Sequence, residues 1–240
     1  MSFTGQTKVS EIVLSDPAAI RILEDAGIDY CCGGAKSLGD ACMQVNIRPE
    51  DILERLRQSH DFAVPEEQAW THVDLSKLTQ HIRERHHKYV RDAIPRVRSL
   101  LVKVRAKHFE KHPEVEEVVW LFEEVAREML LHMQKEEQIL FPHIDSLAQA
   151  AREQAPVKTP VFESVTNPIY MMMREHDSAG ELVRKIRLAT GNYSAPADAC
   201  ATFRSTYQEL RRFEEDLHLH VHLENNILFP RAVELEAAAV

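Results

Sequence analysis

The stretch His132-Met-Gln-Lys-Glu136-Glu-Gln-Ile-Leu-Phe-Pro142 returns near the end of the chain as His220-Val-His-Leu-Glu224-Asn-Asn-Ile-Leu-Phe-Pro230. Both copies read H-x-x-x-E-x-x-I-L-F-P. Residues four apart on a helix lie on one face, one turn from each other. Each copy therefore stacks an imidazole on a carboxylate, a pair that can share one metal ion or reach toward a second. A phrase written twice predicts a site of near two-fold symmetry fed by two helix pairs.

Apolar residues around the two copies keep helical spacing. Val118, Phe122, Val125, Met129, His132, Glu136 and Leu140 form one stripe. Phe203, Tyr207, Leu210, Phe213, Leu217, His220, Glu224 and Ile227 form another. Each His–Glu pair is thus expected on a buried face. Ile169, Met172, His176, Gly180 and Val183 give a third stripe with a histidine in it. Upstream, two stripes compete: Leu75, Leu78, Ile82, His86, Val90, Ile94, and His87, Val90, Ile94, Val97, Leu101. Periodicity alone does not choose between His86 and His87.

These stripes lie on four predicted helices, over 74–108, 113–149, 161–190 and 197–236, with Pro95 expected to kink the first. With only 7 Gly in 240 residues and little strand-type alternation, the fold class is all-α. Residues 1–60 read as a small helical domain. In it Asp16-Pro17 opens a helix that Gly27 ends, Cys31-Cys32-Gly33-Gly34 turns the chain, and Pro49 opens a helix carrying Ile52, Leu53 and Leu56. Residues 61–73 read as a linker and 74–240 as the bundle.

A buried carboxylate or imidazole is costly unless it is paired or metal-bound. One core histidine is ordinarily just a hydrogen-bonded core residue. Here three helices, and by expectation the fourth, place such groups at one depth. His87 to His132 spans 45 residues and His176 to His220 spans 44, so the chain reads as two αα hairpins, each giving a His and then a His with a Glu. Imidazole with carboxylate suits iron, manganese or zinc. A ferritin-type set, Glu84-x-x-His87 with Glu215-x-x-His218, fits as a string, but leaves the stripe of His220 and lacks a matching Glu on the third helix.

The chain resembles the RIC family (repair of iron centres, the YtfE/ScdA group). The residues that carry the resemblance are Asp29-Tyr30-Cys31-Cys32-Gly33-Gly34, the helix around His87, His132–Pro142, Glu175-His176-Asp177-Ser178-Ala179-Gly180-Glu181-Leu182, and His220–Arg231. The resemblance implies a hemerythrin-like four-helix bundle behind a ScdA-type N-terminal domain. It implies two iron ions per chain, oxo- or hydroxo-bridged, with His87 and His132 on one, His176 and His220 on the other, and Glu136 and Glu224 bridging. His86, where the family more usually has an aromatic residue, becomes a candidate to tune the site from behind the ligands. Glu128 and Glu175 become candidates for an iron or small-ligand route. The implied function is repair of iron–sulfur clusters damaged by nitrosative or oxidative stress through iron supply, closer to a donor than to a turnover enzyme. Damaged iron–sulfur proteins are the implied partners, nitric oxide or oxygen the implied small ligands, and a homodimer stays open. Rival readings are a carrier or sensor of oxygen or nitric oxide, and a nitric oxide reductase.

Cys31 and Cys32 read as a reactive thiol pair, with a helix starting near Ser37 expected to lower a thiol pKa. Cys42 and Cys200 read as core residues, and Met171-Met172-Met173 as core packing. A net charge of −9 argues against nucleic acid as a partner. Locally, residues 83–111 carry ten Lys/Arg against three acids, expected to be a solvated helix face, with an acidic docking partner as the sharper alternative. No apolar run approaches the roughly 18 residues of a membrane span, and MSFTGQTKVSEIV lacks the features of a signal peptide, so a cytoplasmic location is expected.

Overall fold

The computed structural model describes residues 3–16, 18–58, 70–157 and 160–238. Most of the expected linker and the expected helix-opening Pro17 lie outside them. Among the described residues there is no strand, only one isolated bridge between Lys8 and Ser37.

Four short helices form the N-terminal part: α1 (Val9–Ser15), α2 (Ala19–Asp25), α3 (Leu38–Gln44) and α4 (Pro49–Gln58). Sequence reading gave no helix over α1. Its first N–H groups are satisfied from a distance, Val9 donating to the Lys36 carbonyl and Ser10 to that of Gly34. Gly27, at φ +70°, ends α2 in the left-handed region as expected. Ser37 caps α3 by accepting from the Asp40 N–H at 3.1 Å.

The bundle follows. Its first rod is α5 (Leu75–His81), a π-helical turn π1 (Ile82–His87) and α6 (Lys88–His108). The second is α7 (Glu114–Lys135), π2 (Glu136–Leu140) and α8 (Phe141–Glu153). The third is α9 (Thr166–Ala189), uninterrupted; the fourth is α10 (Ala201–Leu223), π3 (Glu224–Leu228) and α11 (Phe229–Ala238). α7 packs on α9, α6 on α10, and α6 on α7. α6 continues through Pro95, whose ring leaves the Arg91 carbonyl without its usual donor.

The bundle interior is split in two. One apolar cluster joins the N-terminal helices to the α6–α7–α9–α10 end through Leu23, Leu38, Val97, Phe122 and Phe213. The other, with Leu78, Ile82, Phe141, Ile169 and Phe229, fills the α5–α8–α11 end. Between them lies a layer of buried His and Glu.

Half of the basic run over 83–111 pairs with other helices of the protein. Arg83, Arg91, Arg96, Arg98 and Arg105 pair with Asp145, Glu137, Glu209, Glu123 and Glu116 on other helices. That favours the solvated-face reading over an acidic docking partner. Among the described residues no helix is long and apolar enough to cross a membrane.

Candidate metal centre

The polar layer is built from six residues, each at most 1% exposed: His87 closes π1, His132 lies on α7, Glu136 opens π2, His176 lies on α9, His220 on α10, and Glu224 opens π3. They form two sets that share both carboxylates. His87 and His220 stand with Glu136 and Glu224 in one; His132 and His176 stand with the same two in the other. Within each set the potential ligand atoms lie within 4.8 Å of one another.

The pairing differs from the expected one. His87 meets His220, Nε2 to Nε2 at 3.2 Å, and His176 meets His132 at 2.9 Å. Each set therefore takes one histidine from each hairpin. The repeat could not reveal this, because two copies of one phrase carry no information on which neighbours close around them. The first-rod ambiguity is resolved too. A π turn holds one residue more than an α turn. Both upstream stripes are consequently buried, Ile82 and His86 along with His87, Val90 and Val97.

Charge and geometry suit a cation. Glu136 Oε2 lies 3.3 Å from Nε2 of both His87 and His132. Glu224 places Oε1 3.0 Å from His220 and Oε2 3.1 Å from His176. Yet both oxygens of Glu136 and Oε2 of Glu224 are buried without a hydrogen bond. Leaving such atoms unsatisfied costs about 1–3 kcal/mol each, more for a charge. Metal bonds would satisfy them, and paired Nε2 atoms aimed into one gap suit an ion better than one another. Burial and the nearby Glu224 push Glu136 up, but the imidazoles of His132 and His87 outweigh them and hold it ionised. Glu224 is held well below the usual range despite burial, by His220 and His176. Burial lowers His132, but Glu136 and Glu175 lift it to about 10.

Further residues aim the imidazoles. His87 Nδ1 meets Glu137 at 2.7 Å, and Arg91 also holds that carboxylate. His176 Nδ1 meets Asn225 at 2.9 Å. His132 Nδ1 meets Glu175 at 3.0 Å, and Lys135 pairs with the same carboxylate. Partners of this kind fix the tautomer that turns Nε2 toward an ion. Glu137 and Asn225 escaped the sequence reading, although each directly follows the Glu of its phrase. The repeated Phe has a parallel use: Phe141 stacks on His87 with ring centroids 5.6 Å apart, and Phe229 on His176 at 6.0 Å.

The symmetry breaks at His220, whose buried Nδ1 has no hydrogen-bond partner among the described residues. Glu175, directly before His176, serves His132. Its counterpart directly before His87 is His86, which stacks on His220 at 5.7 Å and gives its own Nδ1 to Asp216 at 3.1 Å. Glu128 lines a surface depression with Glu175, Leu131 and Met171, next to Arg127. The ferritin-type set is not assembled: Glu84 bonds Gln80 on the surface, Glu215 bonds Arg211, and His218 lies near Glu24 and Glu214.

The thiols sit on a turn of the N-terminal domain that packs against α9 and π3. Cys31 is buried and Cys32 half-buried, with Sγ atoms 3.9 Å apart. The expected lowering does not hold for Cys31, whose thiol is pushed well up by its hydrogen bond with Cys32, by burial and by Asp29. Cys42 is a core residue, but Cys200 is only half-buried, at the start of α10 beside His108. Of the three methionines only Met172 is core; Met171 and Met173 are exposed.

Comparison with known proteins adds the family. Residues 78–232 match the Hemerythrin HHE cation binding domain, and residues 5–60 match the ScdA_N domain, Domain of Unknown function (DUF542). A "Probable iron-sulfur cluster repair protein" of Haemophilus influenzae is 36% identical over 97% of this chain and 99% of its own length. "Iron-sulfur cluster repair protein YtfE" of an Enterobacter species is 34% identical over 97% and 99%. The protein of that name from Citrobacter koseri is also 34% identical, over the same shares. With a ScdA-type N-terminal domain joined to a hemerythrin HHE bundle, and with these relatives matched over nearly their full lengths, the chain belongs to the RIC family of YtfE/ScdA-type proteins.

Proposed function

We propose that this chain repairs iron–sulfur clusters damaged by nitrosative or oxidative stress in the cytoplasm, by supplying iron. In this reading two iron ions are held per chain, one by His87 and His220 and one by His132 and His176, with Glu136 and Glu224 shared between them. The carrying observation is that the two buried sets share both carboxylates, and three of those four oxygens lack a hydrogen bond. The names of the relatives support the repair role.

The bound irons supply the cargo that a damaged cluster has lost. The protein's own residues do the holding. Glu137, Asn225 and Glu175 orient three imidazoles, and the two apolar clusters keep water from the layer. A donor of this kind is emptied once per load and needs refilling, unlike a turnover enzyme. In this reading Cys31 and Cys32 take part in the handover.

The test is metal analysis of purified chain, with transfer to a nitric-oxide-treated iron–sulfur enzyme. Wild type should carry two irons per chain and restore activity. Glu136→Leu with Glu224→Leu should carry none or bind iron weakly, and restore nothing. Two irons retained in the double variant would sink the bridging assignment.

A further inference from the structure

Outside the bundle layer, one other cluster of potential ligands stands out among the described residues: Asp29, Cys31 and Cys32, with donor atoms all within 4.8 Å of one another. We propose that these three side chains form a second metal site, a three-donor cradle for a thiophilic divalent ion. Its fourth coordination position opens on a cavity of about 190 Å³ lined also by Asp177, Gly180 and His218. The role of this site as a staging post for iron rests on the proposed repair function; its existence does not.

Two spacings in this cluster lie within about 0.3 Å of those around a tetrahedral ion. Metal–sulfur bonds of about 2.3 Å at tetrahedral angles put two sulfurs about 3.8 Å apart, and sulfur and oxygen about 3.5 Å apart. Here Cys31 and Cys32 Sγ are 3.9 Å apart, and Cys31 Sγ lies 3.2 Å from Asp29 Oδ1. The carboxylate is pinned toward the thiols, because Asp29 Oδ1 also accepts the N–H of Cys31 at 3.0 Å and of Cys32 at 2.9 Å. The glycine after Cys32 makes that closure possible: a Cβ on Gly33 would lie 2.7 Å from the Asp29 carbonyl. Asp29 is exposed and Cys32 half-buried, so an ion can enter from solvent.

Three protein donors with one open position leave room for an exogenous ligand, as in catalytic zinc sites, whereas structural sites close all four positions. Two thiolates select soft or borderline ions such as ferrous iron or zinc over magnesium or calcium. The step balances simply. Two S–H bonds break, two protons leave to solvent, two metal–sulfur bonds and one metal–oxygen bond form, and no electron moves. The site also touches the helix that carries His176. Gly180, one turn further along α9, is so close that a Cβ there would lie 3.8 Å from Cys32 Sγ.

The test uses the full chain, its bundle centre loaded with iron, titrated anaerobically with Co²⁺. One equivalent should develop thiolate-to-cobalt charge-transfer absorption with tetrahedral d–d bands. Cys31→Ser with Cys32→Ser should lose both signals, and Asp29→Asn should weaken cobalt binding at least 10-fold while keeping the charge transfer. The proposal is overturned by a one-equivalent thiolate band that persists in the Cys variant, by none in wild type, or by unchanged affinity in Asp29→Asn. Iron content measured on each sample shows that the variants are folded. It also separates the two readings: two irons without a cobalt band defeats this site alone.

Discussion

His176 and Cys31 meet on one side chain: Asn225 accepts from His176 Nδ1 at 2.9 Å and donates to the Cys31 carbonyl at 3.3 Å. The orientation of a candidate ligand is thereby tied to the seating of the thiol turn. Asn225→Leu removes both bonds at similar volume. Losses of this kind typically cost 10–100-fold in metal affinity. Chelator competition should show that loss, together with faster proteolysis or hydrogen exchange at residues 29–34. Unchanged affinity would show that Asn225 does not orient His176.

With two irons held as proposed, the missing partner of His220 predicts which one leaves first. Three imidazoles have an Nδ1 acceptor and His220 has none, so the His87/His220 position should be the weaker by about 10-fold. Iron release to a chelator should be biphasic. Glu175→Gln, which weakens only the support of His132, should speed the slow phase about 10-fold and leave the fast phase alone. Acceleration of the fast phase instead would reverse the assignment.

Much of this centre could be read from the chain. The stripes through Phe122 and Phe213 ran into the His–Glu pairs at the correct depth, and all six ligand candidates proved buried together. What the stripes hid was local helix geometry. A period near 3.6 assumes α turns throughout, so π1 made His86 and His87 look like competitors when both point inward. Contacts across the bundle were equally hidden: the closure of His87 on His220, and the service of Glu137 and Asn225 to histidines on the preceding rod, depend on tertiary placement. Helix α1 was missed because its N-terminus is completed by carbonyls from the turn at 34–36, not by a local cap.

Gly34 should be intolerant of any side chain. A Cβ there would lie 2.9 Å from Asn226 Oδ1, 2.9 Å from the Tyr30 carbonyl and 3.0 Å from Ser10 Cβ. Overpacking of this kind costs about 1–3 kcal/mol, which for a chain of this size lowers the melting temperature by about 2–4 °C per kcal/mol. Gly34→Ala should show that drop in calorimetry while keeping its iron, because no ligand is displaced. A variant as stable as wild type would mean that the turn is not clamped there.

The start of α9 predicts a pH signature. Glu236 accepts from the Val165 N–H at 2.9 Å, from Ser164 Oγ at 2.6 Å and faces His143 Nε2 at 3.3 Å. Burial raises its pKa, but these partners outweigh burial and hold it below the ordinary carboxylate value. A depressed carboxylate contributes stability above its unfolded pKa and loses it as pH falls through the folded one. Glu236→Gln should therefore be less stable than wild type at pH 7, by about 1 kcal/mol. The gap should close on acidification below the usual carboxylate range; a gap independent of pH would exclude an ionic contribution.

Each of the three π turns acts as a one-residue insertion in an otherwise regular rod, and each begins or ends on a ligand candidate. One residue is about 100° of helix rotation. The π turn absorbs that rotation, so the apolar residues beyond it keep their face; an unbroken α rod of the same length would turn everything beyond by that angle. Phe141 would then leave His87, or Phe229 would leave His176, with the sequence unchanged. The centre is thus guarded by the path of the backbone as much as by residue identity. A relative that keeps all six His and Glu residues at these spacings but runs as unbroken α-helix from Glu136 to Pro142, or from Glu224 to Pro230, should be unable to bring the aromatic floor beneath its histidines.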